Sequence, residues 1–248
     1  VLPGVLATAA RNMNRRNLNL SLFELASGYI PTDREKLPLE KPLLTAVVSG
    51  AFSKGWNGEK VVKDFYYLKG VVENLFSLLR IDGLSVGTEK IEPFLHPGRS
   101  CSLLLDGEVI GYLGELHPTV AQNYDLPQKA VVFELALDTL ISLAEKEIVY
   151  EAISKFPAVE IDLAFVADGG LAAADIEEAI AAAGGEYLKT VELFDIYQGD
   201  RVESGKKSLA YNLVFRAKEK TLKAEEIGAV VENIKKTLHQ QYNIVLRS

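Results

Sequence analysis

A single cysteine, Cys101, occurs in the 248 residues. No internal disulfide can form, and a reducing cytosol, hence a cytoplasmic location, is the expected setting. No run of about 18 apolar residues is present, so no membrane-spanning helix is expected. The opening Val1-Leu2-Pro3-Gly4 has no initiator Met, basic n-region or signal core, as expected of a cut made inside a longer protein. Positive charge is scarce: 27 Lys and Arg stand against 34 Asp and Glu, a net −7. That balance argues against a general nucleic-acid binder, because phosphate affinity comes from Lys and Arg. Catalytic signals are missing too. There is no Gly-rich phosphate loop, Walker pattern or nucleophile elbow. His96, His117 and Cys101 lack the spacing of a zinc site, and the two His-Pro pairs read as turn residues. Ser100 and Ser102 flank Cys101 with no evident base.

What is present reads as an ordinary globular chain, 48% apolar and 25% charged. Its length suits one large domain or two ordinary ones. Residues 3–16 read as a helix with Pro in its first turn. Residues 20–25 and the almost wholly apolar 43–48 read as strands. Phe65, Leu68, Val72, Leu75, Phe76 and Leu79 recur at helical spacing, with Asp64 placed to cap the start and Asp82-Gly83 to end the helix. Residues 101–105 and 109–116 form a hairpin about Asp106-Gly107. A short helix from Pro118, a strand over 130–137 and a helix over 138–145 complete the first half. The charged stretch 145–155, followed by Pro157, marks a boundary, and the domains are expected at 1–148 and 149–248.

The remainder reads βαββαβ: strand 161–166, a helix through Ile176 and Ile180 that Gly184-Gly185 stops, strands 191–197 and 208–215, a helix through Ile227, Val231 and Leu238, and a last strand over 242–246. That order is the ferredoxin-like split βαβ, whose sheet carries helices on one face only. Strand alternation then sorts the side chains. Leu209, Tyr211, Leu213 and Phe215 should face the helices, as should Phe194 and Ile196. Ser208, Ala210, Asn212, Asp195 and Tyr197 should face the open side. A basic run, Arg201, Lys206, Lys207, Arg216, Lys218, Lys220 and Lys223, is opposed only by Glu203 and Glu219. Sheets of this kind bind single-stranded RNA by stacking bases on exposed aromatics. Tyr197 would stack a base, Asp195 would accept from the Watson–Crick edge of a guanine, and the loop from Arg201 to Lys207 would hold the backbone. The plainer alternative is a strand-end aromatic, a turn carboxylate and a solvated loop, and pattern alone leaves both open. The topology also serves small-molecule sensors and metal carriers.

Leu2-Pro3-Gly4-Val5-Leu6, Arg11-Asn12-Met13-Asn14-Arg15, Leu22-Phe23-Glu24-Leu25, Phe94-Leu95-His96-Pro97-Gly98-Arg99-Ser100 and Gly111-Tyr112-Leu113-Gly114-Glu115-Leu116-His117-Pro118 resemble the catalytic-like module of the bacterial phenylalanyl-tRNA synthetase β-subunit family. Phe156-Pro157-Ala158-Val159, Asp162-Leu163-Ala164, Leu193-Phe194-Asp195-Ile196-Tyr197 and Lys206-Lys207-Ser208-Leu209-Ala210-Tyr211 resemble its ferredoxin-fold anticodon-binding domain. The resemblance covers nearly the whole chain. It implies an α+β chain: a truncated class II synthetase-like antiparallel sheet domain without an active site, followed by a ferredoxin-like domain. It further implies a non-catalytic part of an (αβ)₂ ligase, whose α subunit charges the phenylalanine tRNA using ATP and Mg²⁺. The partners would be the α subunit and the tRNA anticodon stem-loop. No catalytic residue, metal or cofactor is expected in this chain. Asp195, Tyr197 and Ser208 match family positions that contact the first anticodon base, a guanine. Ile161 departs from the family, which usually has Arg there. A different class of reading is a non-catalytic scaffold whose ferredoxin-like domain binds no RNA.

Overall fold

The computed structural model describes residues 1–33, 37–54, 56, 58–88, 90–144, 150, 152, 154–200 and 202–246. The chain divides into two compact units, residues 1–148 and 149–248. Among the described residues no helix is long and apolar enough to cross a membrane.

The first unit opens with α1 (Leu2–Asn14), β1 (Leu20–Ile30), β2 (Leu39–Ser49), β3 (Ala51–Lys54), β4 (Glu59–Val62) and α2 (Phe65–Leu79). Next come β5 (Leu84–Gly87), β6 (Leu95–Leu105), β7 (Glu108–Leu116), α3 (Pro118–Asn123), β8 (Ala130–Ala136) and α4 (Leu137–Leu143). Six strands form one antiparallel sheet in the order β1-β2-β8-β7-β6-β5. Both faces of its centre are covered. Val47 and Val132 pack with Leu2, Val5 and Leu6 of α1, while Val48, Phe133 and Leu113 pack with Leu68 and Phe76 of α2 and Leu140 of α4. Burial on both faces is why β2 and β8 read as unbroken apolar runs rather than alternating ones. The Asp64 carboxylate accepts from the Tyr67 N–H at 3.0 Å and caps α2. Arg80, in the left-handed region at φ 55, ends that helix two residues before the expected Asp82-Gly83. Asp106 and Gly107 both have positive φ, as the two-residue hairpin turn requires. The short strands β3, β4 and β5, four residues each, escaped the sequence reading because so few residues cannot display a period.

Two of the sequence signatures of this unit, residues 94–100 and 111–118, have a physical basis in the sheet. A Cβ on Gly111 would lie 2.1 Å from the Glu134 carbonyl oxygen on β8, and one on Gly114 would lie 2.5 Å from Ser100 Cβ on β6. Only glycine permits those backbones to approach so closely. Arg99 and Glu115 bind each other, Nε to Oε2 at 2.6 Å, and Lys129 adds a second cation at 3.5 Å from the buried carboxylate. Both histidines serve turns. His96 Nδ1 accepts from the Gly98 N–H, and His117 Nδ1 accepts from the Thr119 N–H.

Cys101 is buried in the core between α2 and the sheet. Burial pushes its thiol up to about 11, with Lys69 opposing weakly. At pH about 8 only roughly one such thiol in a thousand is ionised, and the thiolate is the reactive form. Alkylation of the native chain is therefore expected to be slow, and fast once denaturant opens the first unit. Timed iodoacetamide labelling followed by mass spectrometry checks this; equal rates in buffer and in denaturant would contradict it.

The second unit contains β9 (Val159–Asp168), α5 (Ala173–Gly184), β10 (Leu188–Tyr197), β11 (Lys206–Phe215), α6 (Ala224–Tyr242) and β12 (Val245–Leu246). Its antiparallel sheet runs β10-β11-β9-β12, the ferredoxin-like order. Ile176 and Ile180 of α5 and Ile227, Ile234 and Leu238 of α6 cover one face, against Phe165, Leu209, Tyr211, Leu213 and Phe215. Among the described residues of this unit, the other face carries no helix. Tyr242, expected to open the last strand, instead closes α6, and Asn243 at φ 54 ends the helix. The final strand is correspondingly shorter.

Candidate nucleic-acid interface

The helix-free face is set by the strand register. Asp195 stands opposite Ala210 and Tyr197 opposite Ser208. Ser208 and Ala210 stand in turn opposite Val166 and Ala164 of β9. Residues paired across an antiparallel ladder share a face, so Asp195, Tyr197, Ser208, Ala210, Ala164 and Val166 lie together. Small side chains form the floor, with Asp195 exposed and Tyr197 half-buried at the rim. Ser208 is 4% exposed, so it belongs to the floor rather than to the accessible rim.

The expected faces hold for β11 and need correction for β10. Phe194 and Ile196 were expected in the core, but they are 54% and 55% exposed. The ladder slips between Leu193 and Asp195. Before the slip, Val191 and Leu193 pack against the helix-side core; after it, Asp195 and Tyr197 take the other face. A bulge adds one residue to one strand and so exchanges the faces of everything beyond it. Phe194 is that extra residue. Ile196 keeps the helix-side register opposite Leu209, on a strand at the sheet edge. The apolar pattern itself carries the signal: 191 and 193 are apolar, then 194 and 196, a change of phase within one strand.

The loop after Tyr197 shapes the ring. A Cβ on Gly199 would fall 2.7 Å from Tyr197 Oη and 2.9 Å from Cζ, so the phenol end rests against the bare Gly199 backbone. The loop's far end is tied to β9 through the Gly169 N–H, which donates to the Gly205 carbonyl at 2.7 Å.

The expected basic grip is not gathered at this face. Lys206 is on it, but it ion-pairs with Glu203 at 2.5 Å, and its hydrogen bond holds that carboxyl below its usual range. Lys207 has the parity of Leu209 and Tyr211, and its Nζ donates to the Leu171 carbonyl at 2.5 Å. Arg201 lies outside the described residues. Acidic groups share the face: Glu160, Asp162, Asp168 and Glu192 are exposed along it. Asn212 Nδ2 donates to Asp162 Oδ1 at 2.7 Å, a polar pair that sequence reading missed because the two are fifty residues apart. Ile161 stands opposite Leu213 and packs on the helix-side core. The residue that departs from the family pattern therefore points away from this face.

Residues 1–137 match the family model for the phenylalanyl tRNA synthetase beta chain CLM domain. Residues 154–247 match the ferredoxin-fold anticodon binding domain. The phenylalanine–tRNA ligase beta subunit of Moorella thermoacetica is 41% identical over 247 residues, covering 100% of this chain and 31% of its own length. That of Geobacillus kaustophilus is 39% identical over 248 residues, with the same two coverages. The chain thus spans about a third of the length of the curated relatives it matches. Among solved structures, a pyrrolysyl-tRNA synthetase of Desulfitobacterium hafniense overlays with a TM-score of 0.42 at 12% identity, over 59% of this chain and 53% of that one; nothing below rests on it. The family model over the first unit, the anticodon-binding model over the second and relatives similar along the whole chain lead to one conclusion: this chain belongs to the phenylalanyl-tRNA synthetase β-chain family.

Proposed function

We propose that this chain is the non-catalytic part of a phenylalanine–tRNA ligase β subunit that binds the anticodon region of the phenylalanine tRNA, while the α subunit carries out ATP-dependent aminoacylation. The observation that carries the reading is the bulged β10 register. It sets Asp195 and Tyr197 beside Ser208 on the uncovered face of a unit that matches an anticodon-binding model. Tyr197 offers a ring for a base to stack on. The Asp195 carboxylate offers two acceptors for the paired N–H donors of guanine. Ser208, under the rim, shapes the floor. In this reading the chain works in the cytoplasm, and ATP and Mg²⁺ belong to the α subunit.

The acidity of the open face favours one alternative, a scaffold whose second unit binds no RNA. Titrating a fluorescent anticodon stem-loop onto the chain separates the two: saturable binding supports the anticodon reading, and none at low salt supports the scaffold. The chain alone is also expected to form no aminoacyl-adenylate. Phenylalanine-dependent pyrophosphate exchange above a mock preparation would overturn that expectation.

The first unit supplies a surface for the α subunit. Edge strand β1 exposes Phe23 and Leu25, 72% and 57% accessible, and Ile141 of α4 is 62% accessible. Together with Leu44, Val71 and Leu75 they line an open groove of about 660 Å³. Contiguous apolar surface of this kind marks an interaction site. The chain alone is expected to bind a hydrophobic dye and to self-associate with rising concentration, and added α subunit is expected to suppress both. Light scattering and dye fluorescence read this out. A strict monomer that binds no dye would contradict it.

A further inference from the structure

The basic run that was expected to flank the anticodon site is split by the fold. Lys206 and Lys207 begin β11, whereas Arg216, Lys218 and Lys220 follow its end. Lys189, the second residue of β10, joins the second group. It lies eight positions before Tyr197 on that strand, roughly 25 Å at strand spacing. Lys155 comes in from the segment before β9. Arg216, Lys218 and Lys189 line two adjoining open cavities of about 620 and 670 Å³, one of which also takes in Lys155 and the other Lys220.

The cluster is held in place. The Arg216 N–H donates to the Tyr187 carbonyl at 2.8 Å, continuing the β10–β11 ladder past its last pair. Ser154 Oγ donates to the Ala217 carbonyl at 3.2 Å and fixes the segment that carries Lys155. Lys189 Nζ donates to the Glu186 carbonyl at 2.6 Å. Lys220 is bound by Glu226 and lies over the Tyr187 ring, 5.5 Å from its centroid. Within this setting Arg216 Nε is screened from solvent and meets no acceptor among the described residues. A guanidinium N–H is a strong donor that is seldom left without a partner. Five cations stand against Glu186 and Glu219 at the cavity walls and Glu226, which pairs with Lys220; positive charge is still in local excess, in a chain of net −7.

We propose that this end of the second unit is a phosphate site for the backbone of paired RNA, separate from the base-reading face and engaged by the stem when the loop is bound there. The proposal rests on the anticodon reading above. It divides recognition as nucleic-acid interfaces commonly do, with phosphate contacts giving affinity and base contacts giving choice. It also accounts for a base-reading face that is itself acidic: the charge attraction is supplied at a distance from it.

The test uses the 1–248 chain with Lys155→Glu/Lys218→Glu and, in case reversal disturbs folding, the milder Lys155→Gln/Lys218→Gln. Both lysines are exposed. Two RNAs are titrated over a range of salt, an anticodon stem-loop and the same loop as a single strand without its stem. The charge reversal is expected to weaken the stem-loop at least tenfold at low salt. It should flatten the log–log salt dependence by about 2, near one unit per lost phosphate contact. The stemless loop and the preference for guanine should be unchanged. The neutral variant should show the same pattern with a smaller loss. Unchanged stem-loop affinity, or an equal loss for both RNAs, overturns the proposal. Tyr197→Ala, run alongside, distinguishes the failures: loss there with no effect of the lysine variants removes only the phosphate site, while failure of the unaltered chain to bind either RNA removes both readings.

Discussion

Replacing Tyr197 with Ala is expected to weaken binding of the anticodon stem-loop about tenfold or more, since a base stacked on an aromatic is worth about 1–3 kcal/mol. The ring sits at the rim of the helix-free face, opposite Ser208, with its phenol end against Gly199. That contact gives a second, independent handle. Gly199 does not have a positive φ, so Gly199→Ala puts no strain on the backbone and acts only by displacing the ring. It should reproduce part of the Tyr197→Ala loss in the unaltered chain and add nothing in the Tyr197→Ala background. Additive losses would mean that Gly199 acts through something other than the ring. Asp195→Asn should behave differently. It keeps the shape but exchanges one acceptor for a donor, so preference for guanine should erode more than overall affinity does. Fluorescence titration with stem-loops bearing guanine or adenine at the first anticodon position measures both effects. Unchanged affinity for Tyr197→Ala, together with unchanged preference for Asp195→Asn, would remove this face from the mechanism.

Gly111→Ala is expected to destabilise the first unit by about 3 kcal/mol, the upper end for forcing an extra methyl into a packed interior. The added Cβ would sit 2.1 Å from a backbone oxygen, that of Glu134, in the middle of the sheet. A flexible side chain could swing away; a paired strand cannot without losing its ladder bonds. Cys101 reports on the same unit, so its alkylation in the variant should complete at a lower denaturant concentration than in the unaltered chain. Stem-loop binding by the second unit should be unaffected. An unchanged alkylation midpoint would show that β7 and β8 separate easily at this point, contrary to the packing described.

Much of the architecture was legible because the residues that build it act locally. Asp64 sits where a helix cap must, Asp106-Gly107 supplies the two positive φ values of a tight hairpin, and the βαββαβ order alone leaves few topologies. The candidate site was legible in its membership but not in its geometry. Simple alternation puts Asp195 and Tyr197 on the open face only by placing Phe194 in the core, whereas Phe194 is the extra residue of a bulge. Lys206 and Lys207 are neighbours in sequence and so fall on opposite faces of a strand. Alternation contains that fact, but a count of charges along the chain hides it. The split of the basic run between the two ends of β11 is likewise a matter of strand length. What sequence could not supply was the cause of its own signatures. The match of the segments around Arg99 and Glu115 to a family was visible, but that the two meet in one ion pair, and that Gly111 and Gly114 admit neighbouring strands, follows only from the tertiary pairing.

The central claim is that the second unit reads the anticodon through its helix-free face. The most direct measurement is the affinity of the unaltered 1–248 chain for two stem-loops that differ only in having guanine or adenine at the first anticodon position, at one fixed low salt concentration. Saturable binding that is tighter for guanine, with the difference reduced by Asp195→Asn, is the predicted result. Equal affinity for the two stem-loops, or no binding to either, would contradict it.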